Sequence, residues 1–355
     1  ASDVYKRQME YAVSETSETW TQVTGITDSG TLAMEPGTWY FRYKETDEKK
    51  VSAATKVIVK GEGVASVEQG DVNYGTKPDP KAETSTNTEK TAVIEYKEAS
   101  SDDTAYSQTV PTAVGNYTVR ATFAETEAYG EAVATTDFSI RYLETPEPPY
   151  TLVGTKGENG YYTSNVVVKP AKGYMISTEL NGTYVESLTI QNSQSGTVFY
   201  LRNASGERTG ALRLETIKIK KQTPKLSLEN GKTYYGDSQK LVIQDDYLSQ
   251  VYVNGVLQNL DGTEFVLQLG SNNGKKKYEI TAVDVAGNKK TILVTVAAAW
   301  MKTGIIPEGV LVNLETGNGY KLGNGNWKVA GDSTSYSGGT EFYVKKDGSY
   351  TFGKQ

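Results

Sequence analysis

Hydrophobic and polar residues alternate with a two-residue period in several short stretches of the chain. Between residues 36 and 43, this period places Trp39, Phe41 and Tyr43 on one face of a strand. The stretch 114–123 follows the same pattern, and no long window has a convincing helical period. The pattern therefore predicts half-buried strands of antiparallel β-sheets.

Similar segments recur along the chain, each with a turn, an aromatic residue and then alternation. Their spacing of roughly 60 to 80 residues suits an array of small modules. Dipeptides that tolerate positive φ are predicted to close hairpins; they are Asn181-Gly182, Asn230-Gly231, Asn254-Gly255, Asp261-Gly262 and Asp347-Gly348. The predicted units are a truncated module at 9–61, full modules at 62–143, 144–223 and 224–298, and a small C-terminal β module at 299–355.

Composition narrows the chemistry that the chain can perform. The 355 residues include no Cys and no His, which excludes disulfides, thiolate nucleophiles, Cys or His metal sites and imidazole-based catalysis. A net charge of −6 and 25 Tyr favour thin folded β-sheet cores over disorder. We therefore expect an all-β fold of tandem small β-sandwich modules in an extended array, with no cofactor.

The negative charge is concentrated in one predicted module. Residues 62–143 carry 14 acidic and 6 basic side chains, a net charge of −8. We interpret them as a solvated strand face; a cation or basic-partner site around Ser101-Asp102-Asp103 is the alternative, but no calcium-loop pattern accompanies it. An acidic chain without a basic stripe is not expected to bind nucleic acid, and no metal site is predicted.

Carboxylate pairs are the remaining candidates for catalysis. Asp245-Asp246 and the pair Glu125 and Glu127 are of the kind that a glycosidase uses, but such a site needs a cleft that small modules do not readily provide. Asp284 lies beside a turn, where an Asp is expected to accept backbone N–H bonds. The sequence therefore predicts that the chain is not an enzyme.

Exposed aromatic rings are the candidates for binding, because sugars stack on them. Tyr336 and Tyr343 are predicted to be exposed ligand-binding residues of the last unit. Trp327 and Phe342 are expected in its core, because a small module without disulfides needs its large rings for burial.

The 62–143 unit resembles a bacterial immunoglobulin-like (Ig-like) repeat. The resemblance is carried by Tyr74-Gly75-Thr76, by the segment from Pro111 to Val119 and by the closing strand Asp137-Phe138-Ser139-Ile140. It implies a cell-surface or secreted protein with several modules.

Three further units show related resemblances. The 224–298 unit resembles another repeat of this type, and residues 159–166 are similar to the opening strand of Ig-like modules in Gram-positive surface proteins. The first unit looks like a fibronectin-type or Ig-like tail. There Trp39 stands where the other repeats have Tyr, so a tyrosine-corner hydroxyl bond is not expected.

The first residues resemble something other than a protein module. Residues 3–8 are similar to the translated end of a transposon-based sequencing adaptor, so residues 1–8 are interpreted as a fusion scar. This interpretation predicts that the natural protein continues upstream.

The leading functional hypothesis is a non-catalytic stalk or adhesin segment on a bacterial cell. It would be extracellular or attached to the cell surface, with glycans, cell wall or host surface proteins as partners and no membrane span in this stretch. The alternative is a set of accessory modules of an exported carbohydrate-active enzyme, or of a glycan-binding protein, whose catalytic domain lies upstream.

Overall fold

The alternating segments form strands, and strands make up most of the regular structure. The computed structural model describes residues 8–24, 32–47 and 49–355. In these ranges the helical segments are two short 3₁₀ turns, Asp103–Ala105 and Ala299–Lys302. The predicted all-β fold with many small sheets is therefore confirmed. The scar predicted at residues 1–8 lies, except for Gln8, outside the described residues.

The chain divides into two compact units. Unit 1 comprises residues 1–149, 170–186 and 198–212, and unit 2 comprises residues 150–169, 187–197 and 213–355. The five predicted modules are finer than this division, and their boundaries stay a prediction.

The described residues of unit 1 form four sheets, in which the final strand residue Arg213 already belongs to unit 2. In spatial order, the first has the strands Thr21–Gln22, Met9–Ala12, Gly37–Tyr43 and Thr55–Val59; the second has Ala65–Glu68 and Lys81–Thr84; the third has Val72–Asn73, Ala132–Arg141, Gly115–Phe123 and Val93–Glu98; and the fourth has Tyr174–Ser177, Val198–Asn203 and Leu212–Arg213. Val72–Asn73 pairs in parallel with Ala132–Arg141, whereas the other pairings in the first three sheets are antiparallel. In the fourth sheet, Tyr174–Ser177 also pairs antiparallel with Val198–Asn203.

Unit 2 contains six sheets, in which Pro170, the last residue of one strand, is assigned to unit 1. With strands in spatial order, the first sheet has Tyr150–Val153, Val166–Pro170 and Leu188–Ile190, and the second has Tyr161–Tyr162 and Lys218–Ile219. The third has Lys225–Leu226, Ser238–Gln244 and Glu264–Gly270, and the fourth has Thr233–Tyr235, Lys289–Ala297, Lys275–Asp284, Leu248–Val253 and Val256–Leu257. The fifth has Ile305–Ile306, Gly319–Leu322 and Glu341–Tyr343, and the sixth has Leu311–Leu314, Gly348–Lys354, Asn326–Val329 and Ser335–Ser337.

Three hydrophobic clusters lie between pairs of these sheets. One joins buried residues of 67–140, a second joins residues 228–296, and a third joins residues 306–352. In Gly115–Phe123 the buried face contains every second residue from Tyr117 onward, as the two-residue period predicts. These cores have the two-layer construction of β-sandwiches.

An aromatic residue in several sheets donates a hydrogen bond to the carbonyl of the residue four positions earlier. The donor and acceptor pairs are Trp39 and Glu35, Tyr117 and Ala113, Tyr184 and Leu180, Trp327 and Gly323, and Tyr350 and Lys346. At Trp39 the indole Nε1 supplies the donor, at 2.9 Å from the Glu35 oxygen. The tyrosine hydroxyl is missing there, as the sequence indicates, but an equivalent bond is present.

The predicted turns are mostly wrong as hairpins. Asn254-Gly255, with φ of 51° and 76°, joins the adjacent strands Leu248–Val253 and Val256–Leu257. Asn181-Gly182 lies in the loop between Ile176 and Val185, which form an isolated antiparallel bridge, whereas the other three dipeptides connect strands that belong to different sheets. Their positive-φ tendency predicts a turn, but the partner of the next strand is decided by long-range packing.

Candidate functional site

The two tyrosines predicted to bind ligand lie in different sheets of the C-terminal residues. Tyr336 is half-buried, and its ring packs against Phe342 with centroids 5.4 Å apart. Tyr343 is 63% exposed and lies on the opposite face of its strand from Phe342. The two rings therefore do not form one platform, and ligand binding by them stays a prediction.

Both tyrosine hydroxyls already have acidic partners. Tyr336 donates to Asp332 Oδ2 at 3.1 Å, and burial together with that carboxylate raises its pKa. Tyr343 donates to Glu341 Oε2 at 2.6 Å, and this hydrogen bond raises its pKa as well. Both groups are therefore neutral phenols at physiological pH and serve as hydrogen-bond donors.

The candidate carboxylate pair near residue 126 is divided between two lysines. Glu127 pairs with Lys56 and Glu125 pairs with Lys60, and all four side chains are largely exposed. Ion pairs between exposed side chains contribute little stability, and the hydrogen bond from Lys60 lowers the pKa of Glu125. They do not make a pair of cooperating catalytic carboxylates.

The second candidate pair is divided as well, because only Asp245 is enclosed. Its Oδ2 lies 2.8 Å from Lys220 Nζ, and the same ammonium lies 3.4 Å from Asp284 Oδ2. The three side chains are 6%, 12% and 0% exposed for Asp245, Lys220 and Asp284. We call these three residues the lysine centre.

Hydrogen bonds fix every member of the lysine centre. Asp284 Oδ1 accepts the backbone N–H groups of Ala286 and Asn288, both at 2.9 Å, as expected for an Asp beside a turn. Lys220 also donates to the Gln222 carbonyl at 2.9 Å. Burial acts to lower the pKa of Lys220, but the two carboxylates outweigh it and hold the pKa above its usual value. A protonated, fully paired amine is not a nucleophile.

Sequence reasoning did not find the lysine centre. Lys220-Lys221 is interpreted most simply as a turn-flanking pair, and nothing in its immediate surroundings indicates burial. The one feature of the sequence that points to the lysine centre is Asp284, an acid in a turn next to a strand end. Its partner Asp245 is near it in space but 39 residues away in sequence. Only the fold brings them together.

Loop contacts join the edges of neighbouring sheets inside each unit. In unit 1, Arg208 N donates to Tyr74 O at 2.9 Å. In unit 2, Glu158 N donates to Ala286 O at 2.9 Å, and Asn313 N donates to Asn273 O at 3.0 Å. Main-chain bonds of this kind do not depend on side-chain identity, which is why the sequence does not reveal them.

Two of the open clefts among the described residues are large enough to consider as sites. The first, of about 750 Å³, is lined mainly by apolar side chains of the first sheet, including Met9, Met34 and Phe41. The second, of about 690 Å³, is polar and lies beside the lysine centre. Asp245, Asp246 and Glu264 line the second cleft; Asp245 is paired with Lys220, and Glu264 accepts a hydrogen bond from Gln244 Nε2.

The acidic segment around residue 102 also has an ordinary arrangement. Asp103 Oδ1 lies 2.9 Å from Lys97 Nζ, and this bond lowers the pKa of Asp103 and raises that of Lys97. Among the described residues, no group of three or more acidic side chains is arranged to hold a metal ion. In the same part of the chain, no helix is long and apolar enough to span a membrane.

Comparison with known proteins gives structural neighbours without sequence relatives. No protein-family model matches the chain, and no curated protein matches it. A Bacteroides ovatus protein of a mixed-linkage glucan utilization locus, solved with a mixed-linkage heptasaccharide, is similar at 10% identity, with 80% of this chain and 87% of that chain covered and a TM-score of 0.16.

Two further solved structures are similar at the same low level. The sialic acid binding region of a Streptococcus sanguinis adhesin is 12% identical, with 70% of this chain and 80% of that chain covered and a TM-score of 0.21. The four N-terminal Ig domains of Dscam1 isoform 8.4 are 10% identical, with 83% and 92% covered and a TM-score of 0.22. Scores this low do not transfer a function to this chain.

Proposed function

We propose that the chain is a non-catalytic segment of a bacterial surface protein, built from small β modules, that presents binding surfaces outside the cell. The observation that carries this proposal is the set of main-chain hydrogen bonds between neighbouring sheets. They hold successive parts of each unit in a defined orientation, which a presenting segment needs and a flexible linker does not have.

A close contact in unit 1 joins two loops at residues 75 and 206. A Cβ atom added to Gly75 would lie 2.3 Å from Gly206 O, and Gly75 has a φ of +104° that side chains other than Gly rarely adopt. Beside it, Glu207 accepts hydrogen bonds from Asn203 Nδ2 at 2.6 Å and from Asn73 Nδ2 at 3.0 Å, and these bonds lower its pKa. The two loops therefore fit closely only with glycine at position 75.

The state of the acidic side chains supports a non-catalytic role. Of the carboxylates that the sequence singled out, Glu125 and Glu127 are paired with lysines in the open, Asp245 and Asp284 are held in the lysine centre, and Asp246 is exposed at the polar cleft. None is a free acid in an enclosed cleft, where general acid or base catalysis needs one. A binding or spacing role asks for no such group.

The test is a distance measurement by pulsed electron paramagnetic resonance on the full chain. The absence of native cysteine allows labels at Thr135→Cys and Lys172→Cys, which lie on either side of the contact at Gly75. We expect a narrow distance distribution, a broad one in Gly75→Ala, and a narrow one in the control Gly70→Ala, where an added Cβ meets no atom within 4 Å. A broad distribution in the parent chain would contradict a presenting role.

A further inference from the structure

Two arginine side chains of unit 1 face each other across an antiparallel turn. Arg202 and Arg208 are direct cross-strand partners, and the turn between them is closed by Asn203 N donating to Glu207 O at 3.0 Å. Directly opposed residues share one face of the pair, and like charges in this position are destabilising. The arrangement therefore needs a compensating interaction.

No carboxylate of the described residues forms an ion pair with either arginine. In the described part of unit 1, three other arginines each pair with an acid; the pairs are Arg42 with Glu10, Arg120 with Glu95 and Arg141 with Asp71. Arg202 and Arg208 form no such ion pair among the described residues. Glu207 lies between them in sequence but is bound by Asn73 and Asn203, at 3.0 and 2.6 Å.

Tyrosine rings hold the two guanidinium groups instead. Arg202 Cζ lies 4.8 Å from the Tyr184 ring centroid, and Arg208 Cζ lies 5.9 Å from the same ring and 5.5 Å from the Tyr74 ring. Tyr184 is 5% exposed, and its hydroxyl donates to Leu180 O at 2.9 Å. A fixed ring orients a planar guanidinium but does not neutralise its charge.

Much of the hydrogen-bonding capacity of the arginine pair is unused. Arg208 Nε is buried and has no hydrogen-bond partner among the described residues. The two Nη groups of Arg208 donate to no acceptor among these residues either, and they are not buried. Arg202 Nη2 makes only a weak contact with Met175 Sδ, at 3.6 Å. A partly desolvated charge without a counter-ion is costly, so an arriving oxyanion would be bound by preoriented donors.

An exposed ring packs against the tyrosine that holds Arg208. Tyr142 is 43% exposed, and its ring centroid lies 5.7 Å from that of Tyr74, which carries Arg208 on its face. Leu143 N donates to Arg208 O at 2.8 Å and fixes the adjacent backbone. Oriented guanidinium groups near an accessible aromatic ring suit a sugar that carries a carboxylate, because the carboxylate accepts hydrogen bonds and the apolar face of the sugar stacks on the ring.

We propose that Arg202, Arg208 and Tyr142 form a binding site for a carboxylate-bearing saccharide. The carboxylate is bound by the two guanidinium groups, and the sugar ring packs on Tyr142. This site is separate from the predicted tyrosines at 336 and 343, and it goes beyond the presenting role because it names what one surface binds.

The test uses a trigalacturonate and its uncharged methyl ester as probes for the full chain, followed by calorimetry and NMR of the arginine N–H signals. We expect trigalacturonate to bind and the ester to bind at least roughly tenfold more weakly, because charge-assisted hydrogen bonds are lost. Arg202→Gln and Arg208→Gln should each weaken binding by a similar factor. The control Arg213→Gln should leave it unchanged, since that guanidinium donates to the Gly196 carbonyl at 3.2 Å.

The sugar ring is tested by a second pair of variants. Tyr142→Ala should weaken trigalacturonate binding severalfold, whereas Tyr235→Ala, which removes a ring that is 51% exposed in unit 2, should not. Equal binding of the ester, of acetate or of polyglutamate would overturn the proposal, and so would full binding by the Arg202→Gln/Arg208→Gln double variant. A melting curve of each variant shows that it is folded, and we expect the arginine variants without ligand to be no less stable than the parent, because they relieve like-charge repulsion.

Discussion

A tryptophan in the first sheet and one in the C-terminal sheets make the same local hydrogen bond but differ in burial. Trp39 and Trp327 each donate an indole N–H to the carbonyl four residues earlier, at 2.9 and 2.7 Å. Trp327 is 2% exposed inside a cluster that includes Phe342 and Phe352, whereas Trp39 is half-buried. The local bond follows from sequence spacing, but burial needs an opposing sheet.

The surroundings of the two tryptophans show where this difference originates. Two sheets of residues 305–354 enclose nine buried apolar side chains, of which Trp327 is one. In the described residues before 60, a single sheet is present, and Ala12 is the only buried apolar side chain. Tyr11 packs on Trp39 edge-on, with centroids 5.5 Å apart, but no second layer of described residues covers the pair.

The largest expected effect comes from removing the buried ring. Trp327→Ala should destabilise the C-terminal sheets by about 3–5 kcal/mol, because it leaves a cavity in a closed core and an unpaired Gly323 carbonyl. Hydrogen-exchange mass spectrometry of residues 305–354 measures the loss. Lys328→Ala, an exposed neighbour, is the control. A smaller destabilisation than that of Trp39→Ala would contradict the conclusion that Trp327 is the more enclosed of the two rings.

A smaller effect is expected from a glycine that permits the closed packing. A Cβ added to Gly338 would lie 2.5 Å from Gly323 O and from Gly325 N, whereas one added to Gly353 meets no atom within 4 Å. Gly338→Ala should therefore cost about 1–3 kcal/mol, since the backbone must move to accept the methyl group. Urea unfolding of both variants measures the difference, and equal midpoints would show that these loops are not tightly packed.

The half-buried ring should matter less. Trp39→Ala should cost about 1–2 kcal/mol, because part of its surface is already in water and the bond to Glu35 O is worth about 1 kcal/mol. Hydrogen exchange of residues 37–59 measures this change, with Trp39→Phe as the variant that removes the donor but keeps a ring. A loss of stability as large as that of Trp327→Ala would mean that Trp39 is as fully enclosed as Trp327, which would contradict the comparison.

The comparison also explains what the sequence can and cannot predict. Alternation predicts the strands and the buried face of Gly115–Phe123, because both follow from the two-residue period of neighbouring residues in the sequence. The lysine centre, the opposed arginines and the contact at Gly75 join residues that are far apart in sequence, and no local pattern marks them. Tyr336 illustrates the boundary, since its strand is predictable but its packing against Phe342 depends on a second sheet.

The smallest expected effect is a dependence on pH that distinguishes the C-terminal sheets. Backbone and side-chain hydrogen bonds from Thr334 lower the pKa of Asp332, and those from Thr316 lower the pKa of Asp347, below the ordinary value of 3.8. A carboxylate whose pKa is lower in the folded state stabilises that state above its unfolded pKa, and the contribution is lost as the pH falls through the folded pKa. The urea midpoint of residues 305–354 should therefore fall as the pH drops below about 4. The fall should be smaller in Asp332→Asn/Asp347→Asn, and because both acids are exposed, the difference should be modest. An unchanged pH profile in the double variant would assign the acid sensitivity to other carboxylates, and the hydrogen bonds to Thr334 and Thr316 would then carry no net stability.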